Sequence, residues 1–330
     1  MNECSIIFVL ITLSVFALTA LAERILIPIL RSHKAGQRIL DIGPRWHKSK
    51  EGTPIMGGIG FILAILIATA GFFILVGVRG NAPEYIPLAL TIAFAVGHGA
   101  IGFVDDYCKL VKKQNEGLTR MQKLVLQFTI TAAYLCVMGY TGNLPTQVVI
   151  PLVNVPIRGA LWYLFAGCLM VGVINGTNFT DGIDGLASSV SCVVGVFFSV
   201  LAILWQDAGL SVVGGALIGA TLGFLLYNFH PARVFMGDTG SLFLGAIVMG
   251  TLFQINEPFL ALFVCAVYII ELLSTVLQII YFKITHGKRL FKMAPIHHHF
   301  EKCGWNENRI VLVFSLVQAI FCALAFILIR

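Results

Sequence analysis

Long apolar runs broken by short polar stretches make up almost the whole chain. A run of roughly 20 apolar residues crosses a bilayer as a helix, and the pattern predicts about ten such spans. The first four cover about 5–30, 59–78, 86–104 and 124–139. A fifth ends at Asn175, a sixth reaches Trp205 and a seventh ends near Asn228. The last three occupy about 242–254, 258–282 and the stretch after Arg309. The first run is followed by more of the same, so it reads as a retained helix and not a cleaved leader. Between spans four and five, VVIPLVNVPI alternates and holds two prolines, which predicts a small extended hairpin outside the bilayer. The expected fold class is an all-α polytopic membrane protein, one integral membrane domain over 1–330 with no separate soluble unit.

One polar stretch falls where a membrane protein should avoid it. NGTNFTDGIDGLA (175–187) lies between two apolar runs and carries Asn175, Thr177, Asn178, Thr180, Asp181 and Asp184. A solvated turn needs a glycine and a couple of polar residues; two aspartates, two asparagines and three glycines exceed that. Carboxylates at the mouth of a membrane helix are costly unless something cationic meets them.

Composition narrows the class. Mean hydropathy is +0.90, 58% of residues are hydrophobic and only 12% are charged, which excludes an ordinary soluble domain. A formal charge of +6 reports anchoring at a cytoplasmic surface, and no nucleic-acid partner is expected. The eight cysteines form no C-x-x-C pair and read as small core residues.

Parity then sets the geometry. With ten spans, the loops 31–58, 105–123, 175–187, 230–241 and 283–309 share one face, and they hold 18 of the 22 lysines and arginines. The positive-inside rule puts all five in the cytoplasm and both termini outside, giving a cytoplasmic-face active site.

Those loops carry the candidate chemistry. Asp105 and Asp106 close span three, with Lys109 one turn beyond Asp105. Adjacent carboxylates repel and demand a cation or metal nearby, although a solvated helix end with an i,i+4 pair would look the same. Asp181 and Asp184 would share a face if helical. Asp238 sits in GDTGS, where Gly237 and Gly240 free the backbone and helix-start N–H groups can hold phosphate. Phe235 can stack on a base or simply fill an interface. His297, His298 and His299 lack the spacing of a helical zinc pair; they read as phosphate contacts, with a solvated loop as the plain alternative. Glu271 and His98, deep in spans nine and three, read as interhelical hydrogen-bonding groups. Together the loops offer acids for a divalent metal, bases for anions and glycine turns for phosphate. Such a site suits a soluble phosphate-bearing molecule meeting a lipid.

FVDDYCK (103–109), NFTDGIDGLA (178–187), NFHPARVFMGDTGSLFLG (228–245) and APIHHHFEKCGW (294–305) resemble, in this order, the polyprenyl-phosphate N-acetylhexosamine-1-phosphate transferases. Lys48, Thr53-Pro54 and Met56-Gly57-Gly58 match a further segment of that family. The last run is similar to its muramoyl-pentapeptide branch. The resemblance implies a ten-helix enzyme of the bacterial cytoplasmic (inner) membrane, commonly a homodimer. It would be Mg2+-dependent, moving phospho-MurNAc-pentapeptide from UDP-MurNAc-pentapeptide to undecaprenyl phosphate and yielding lipid I and UMP for peptidoglycan synthesis. By motif position, Asp238 would be the metal ligand and Asp105 and Asp106 the catalytic acidic pair. Lys48, Gly182, Ile183, Asp184 and Phe235 would hold the uridine. Thr53, Asn178, Asp181 and Gly237 would line the adjoining pocket where nucleoside antibiotics bind. Lys109, Lys123, His297 and His298 would complete the catalytic lining, and Asn175, Asn228 and His299 the substrate side.

Two other functions compete. Within the family, a UDP-GlcNAc:polyprenyl-phosphate GlcNAc-1-phosphate transferase would differ in the last loop, which is expected to contact the sugar substituent. From another class, a transporter would place charges near the midplane. Against it, the polar residues gather at one face and no paired broken helices are visible.

Overall fold

The computed structural model describes residues 2–32, 50–112, 117–145, 147–150 and 155–329, and these are overwhelmingly helical. The chain forms α1 (Glu3–Ser32), α2 (Gly58–Val78), α3 (Ile86–Lys112) and α4 (Arg120–Tyr140). A hairpin follows, β1 (Gln147–Ile150) antiparallel to β2 (Val155–Arg158), with Gln147 opposite Arg158. Then come α5 (Gly159–Thr180), α6 (Leu186–Trp205), α7 (Ala208–Asn228), α8 (Gly237–Gln254), α9 (Ala261–Val264), α10 (Ala266–Ile284), α11 (Ile296–Glu301) and α12 (Glu307–Leu328). Among the described residues, nine helices are long and apolar enough to cross a membrane. Lipid offers backbone N–H and C=O groups no partners, so helices, which satisfy their own, are the element such a chain must use.

α8, with 18 residues, is not among the nine, because it opens on the polar run Gly237-Asp238-Thr239-Gly240-Ser241. It is the centre of the bundle: every residue from Thr239 to Phe253 is buried, and its longest packing partner is α3. α7 crosses α1 almost backbone to backbone. A Cβ on Gly219 would come within 2.5 Å of the Thr12 carbonyl oxygen, and one on Gly223 within 2.8 Å of that of Phe16. Close packing through small residues replaces the hydrophobic drive that lipid does not supply between helices.

The expected hairpin is present, and the expected spans fall on long helices, but several ends differ in one direction. α3 runs on past Asp105 and Asp106 to Lys112, α5 continues through Asn175 and Asn178 to Thr180, and α8 begins at Gly237. Polar residues at these ends stay helical because other helices supply their hydrogen bonds. The ninth span is broken: a short 3-10 turn at Pro258–Leu260 and α9 precede α10, with the interruption at Cys265.

The polar loops meet at one end of the bundle. The Phe235 N–H donates to the Pro54 carbonyl and the Gly57 N–H to that of Phe235, both at 2.9 Å. The Leu118 N–H reaches back 2.8 Å to Asp105.

Candidate active site

Three carboxylates converge at that end. Asp105 and Asp106 come from the last turns of α3 and Asp238 from the first turn of α8, and all three offer oxygens within 4.8 Å of one another. They can approach because Gly102, one turn before Asp106, has no side chain; a Cβ there would lie 2.1 Å from the Asp238 carbonyl oxygen. Asp106 is the cap of α8: its Oδ2 accepts from the Thr239 N–H at 2.9 Å and the Thr239 hydroxyl at 2.7 Å. Helix-start N–H groups have no partner within their own helix, so this carboxylate from a neighbouring helix satisfies them. Gly237 turns the chain into α8 at φ +70°.

Two ammonium groups answer the acids. Lys109 Nζ lies 2.6 Å from Asp105, 3.3 Å from Asp238 and 3.7 Å from Asp106. Lys123, from the first turn of α4, lies 2.5 Å from Asp238 and 3.3 Å from Asp105. Asn178 donates through Nδ2 to Asp238 Oδ1 and to the Ser241 hydroxyl, each at 2.8 Å. Asp105, Asp106, Asp238, Lys109, Lys123 and Asn178 thus form one cluster.

The cluster fits a hard divalent cation. Carboxylate oxygens are the ligands such ions prefer, three are gathered here, and among the described residues Asp105 Oδ2 is buried without a well-formed hydrogen bond, met only by ammonium charge. Asp238 would hold the ion, with Asp105 and Asp106 beside it. Asp181, at the end of α5, looks onto the same charges. Burial pushes its carboxyl well above the usual range, repulsion from Asp238, Asp106 and Asp184 adds to this, and Lys50 opposes it.

Asp184 belongs to a second cluster. Lys50 Nζ stands 2.7 Å from both Asp184 Oδ1 and Glu307 Oε2. Asp184 Oδ2 accepts from the Ala232 N–H at 3.0 Å and lies 2.9 Å from His230 Nδ1. The Asp184 N–H in turn donates to Glu307. Both carboxylate oxygens of Asp184 are therefore engaged by protein, and its side chain is 2% exposed.

The remaining expected residues divide between the two clusters and their supports. Ile183 is buried, and Phe235 is half-exposed with its backbone paired to the segment just after Thr53. Asn228 spends its amide on structure: Oδ1 accepts from the Gly185 N–H and the Ser188 hydroxyl, and Nδ2 donates to the Val234 carbonyl. Asn175 donates to Gln127 Oε1 of α4 and to its own helix. His297 is buried beside Gly182, whose hypothetical Cβ would lie 2.2 Å from Nε2. His298 pairs with Glu301 at 2.5 Å, while His299 Nδ1 accepts from the Lys292 N–H. Lys48 lies outside the described residues.

Two expectations need correction. His98 makes no interhelical hydrogen bond among the described residues; its Nδ1 meets the Phe94 carbonyl of its own helix at 3.2 Å, and its ring packs on Phe94. Asp105 and Asp106 do not close their helix but sit inside it. Sequence reading also missed Lys50, His230 and Glu307. Lys50 was only one of six basic residues in its loop, and His230 stood unassigned in NFHPAR. Glu307 lay in the last polar loop, 283–309, with nothing to single it out.

Residues 88–256 match the model of glycosyl transferase family 4. The phospho-N-acetylmuramoyl-pentapeptide-transferase of Caldicellulosiruptor bescii is 41% identical over 316 residues, 96% of this chain and 95% of its own. Its namesake in Clostridium perfringens is 43% identical over 312 residues, 94% of this chain and 95% of its own. That of Bacillus mycoides is 38% identical over 311 residues, 94% of each.

Proposed function

The chain belongs to the phospho-N-acetylmuramoyl-pentapeptide-transferases of glycosyl transferase family 4, and from that membership we propose the reaction it performs. It transfers phospho-MurNAc-pentapeptide from UDP-MurNAc-pentapeptide to undecaprenyl phosphate, giving lipid I and UMP. An oxygen of the lipid phosphate attacks the sugar-bearing phosphorus of the donor, and the bond to UMP breaks. One phosphoanhydride replaces another, so no ATP is required.

The observation that carries this reading is the meeting of Asp105, Asp106 and Asp238 with Lys109 and Lys123 at one end of the bundle. Phosphoryl transfer asks a protein chiefly for positioning and charge stabilisation. Lys109 and Lys123 supply mobile positive charge for the nonbridging oxygens. Asp105 orients Lys109 and accepts the Leu118 N–H; Asp106 anchors α8 so that Asp238 faces the cluster. What Mg2+ would supply, held by Asp238 with Asp105 and Asp106 beside it, is neutralisation of the donor diphosphate and the departing UMP. The Lys50–Asp184 cluster and Phe235 would flank the uridine, and the same surfaces would receive nucleoside antibiotics. The lysine and arginine distribution supports a cytoplasmic active site with both termini outside the bacterial inner membrane. A homodimer is part of the same proposal.

Purified protein, Mg2+ and undecaprenyl phosphate, supplied with UDP-MurNAc-pentapeptide or UDP-GlcNAc, tests the reaction through UMP release. Release from the first donor and not the second is expected; the reverse would make the chain a GlcNAc-1-phosphate transferase. For orientation, Asn143→Cys in a cysteine-free background should react with an impermeant thiol reagent in intact cells and Lys288→Cys should not. Labelling of both overturns the arrangement.

A further inference from the structure

We infer that Glu271 is a positioning residue for this transfer, acting through His297, whose Nε2 contacts the nucleotide-sugar donor. The inference rests on the transferase reading above.

Glu271 lies in the second turn of α10 and His297 near the start of α11, and both are fully buried. His297 Nδ1 is 3.0 Å from Glu271 Oε2. The two helices are locked in register just beside the pair. The Ser274 hydroxyl donates to the Glu271 carbonyl at 2.8 Å and accepts the Ile296 N–H at 3.0 Å. The ring therefore has little freedom to turn. The neighbouring His298, with its ring 4.1 Å from that of His297, has a carboxylate of its own in Glu301. Two adjacent histidines are thus steered by two different acids, and only the His297 pair is wholly shut from solvent.

A carboxylate that accepts the Nδ1 proton fixes which imidazole nitrogen points outward. Here that nitrogen is Nε2, and it is aimed at Gly182 in the polar stretch between α5 and α6. Only a glycine leaves room for it, since a Cβ would lie 2.2 Å from Nε2 and 2.5 Å from Cε1. Among the described residues, Nε2 is buried with no hydrogen-bond partner. Native proteins seldom leave a buried polar atom unmatched. This atom borders the stretch that carries Asn178 and Asp181 beside the carboxylate cluster. A donor rich in phosphate oxygens and sugar hydroxyls, entering as the Gly182 turn yields, supplies the missing partner.

The test is a double-mutant cycle on the full-length enzyme, with UMP release measured against each substrate. Glu271→Leu should raise KM for UDP-MurNAc-pentapeptide about tenfold while leaving that for undecaprenyl phosphate unchanged. His297→Ala should do the same, and the double variant should be no worse than His297→Ala alone. Glu271→Gln, which keeps an oxygen acceptor for Nδ1–H, should restore most of the loss and controls for folding. A full additional loss in the His297→Ala background, or equal damage to both substrates, overturns the inference. Nitrogen-15 spectra of histidine-labelled protein in nanodiscs, without substrate, should show one imidazole altered by Glu271→Leu; an unaltered spectrum would also overturn it. A parent enzyme that releases no UMP would instead sink the assigned reaction, because the spectra read the pair independently of turnover.

Discussion

Lys123 Nζ lies 2.5 Å from Asp238 and 3.3 Å from Asp105, so a single ammonium at the start of α4 joins carboxylates carried by α3 and α8. With Lys109 against the same two carboxylates, two cations stand among three acids, of which Asp105 and Asp106 are buried. One negative charge is left over, and a cation arriving with the substrate phosphates can balance it. The lysines are then able to turn toward phosphate oxygens.

Asp238→Asn should lower turnover by about a hundredfold or more, the scale of losing one preorganised charge-stabilising group. The thermal midpoint should fall modestly as well, because Asn178 and Lys123 bond different oxygens of Asp238 and an asparagine keeps only one of those acceptors. UMP release across a Mg2+ titration checks this; normal activity at ordinary Mg2+ would take Asp238 out of the metal role.

Gly237→Ala should damage fold and activity together. The residue sits at φ +70°, and its Cβ would fall 2.4 Å from Asp106 Oδ2, the oxygen that caps α8. Strain of that kind costs about 1–3 kcal/mol. A drop in thermal midpoint with a parallel loss of UMP release is expected, and an unchanged midpoint would show that the turn relaxes freely.

Lys50→Met should destabilise more than Lys50→Arg. It leaves Asp184 and Glu307, 2% and 10% exposed, as neighbouring carboxylates with, among the described residues, only the half-exposed His230 side chain beside them. Breaking a buried ion pair from one side costs about 3–5 kcal/mol. The lower end is expected here because His230 Nδ1 and the Ala232 N–H still meet Asp184. Thermal unfolding in detergent, compared across the two variants, measures it.

Asp181 gives a pH dependence whose sign can be worked out. Its carboxyl is held well above 3.8, so over that window the folded protein binds more protons than the unfolded chain. Stability must then fall as pH rises from the ordinary carboxylate range toward the raised value, and level off beyond it. In chelator, Asp181→Asn should flatten this slope and be the more stable protein in neutral buffer. Parallel slopes for parent and variant would show that another group is responsible.

Much of the site was legible as motifs. GDTGS placed Asp238 at a helix start, and FVDDYCK placed Lys109 one turn from Asp105, because both relations are local and survive any packing. Family resemblance put Lys123 in the expected catalytic lining and Asn178 only in the adjoining pocket; nothing in their own surroundings in the sequence points at Asp238, which is 115 residues from Lys123. Helix ends were read too short at Asn175 and at Asp105. Polarity normally signals exposure, yet here the polar side chains are satisfied by neighbouring helices and stay inside.

By itself the sequence determined what depends on residues close along the chain. Apolar runs long enough for a bilayer force helices, alternation with prolines makes the hairpin, and the charge count separates the two ends of the bundle. Tertiary structure alone decided which charges meet. Asp184 faces Lys50, His230 and Glu307 and is separated from the Asp238 cluster, and Glu271 faces His297, a residue of another helix. These pairings depend on how helices pack and on which glycines let backbones close to contact, as at Gly102 and Gly182. The energy of a charge inside a membrane protein is set by its nearest neighbours in space, and periodicity along one helix carries no information about what the next helix will present.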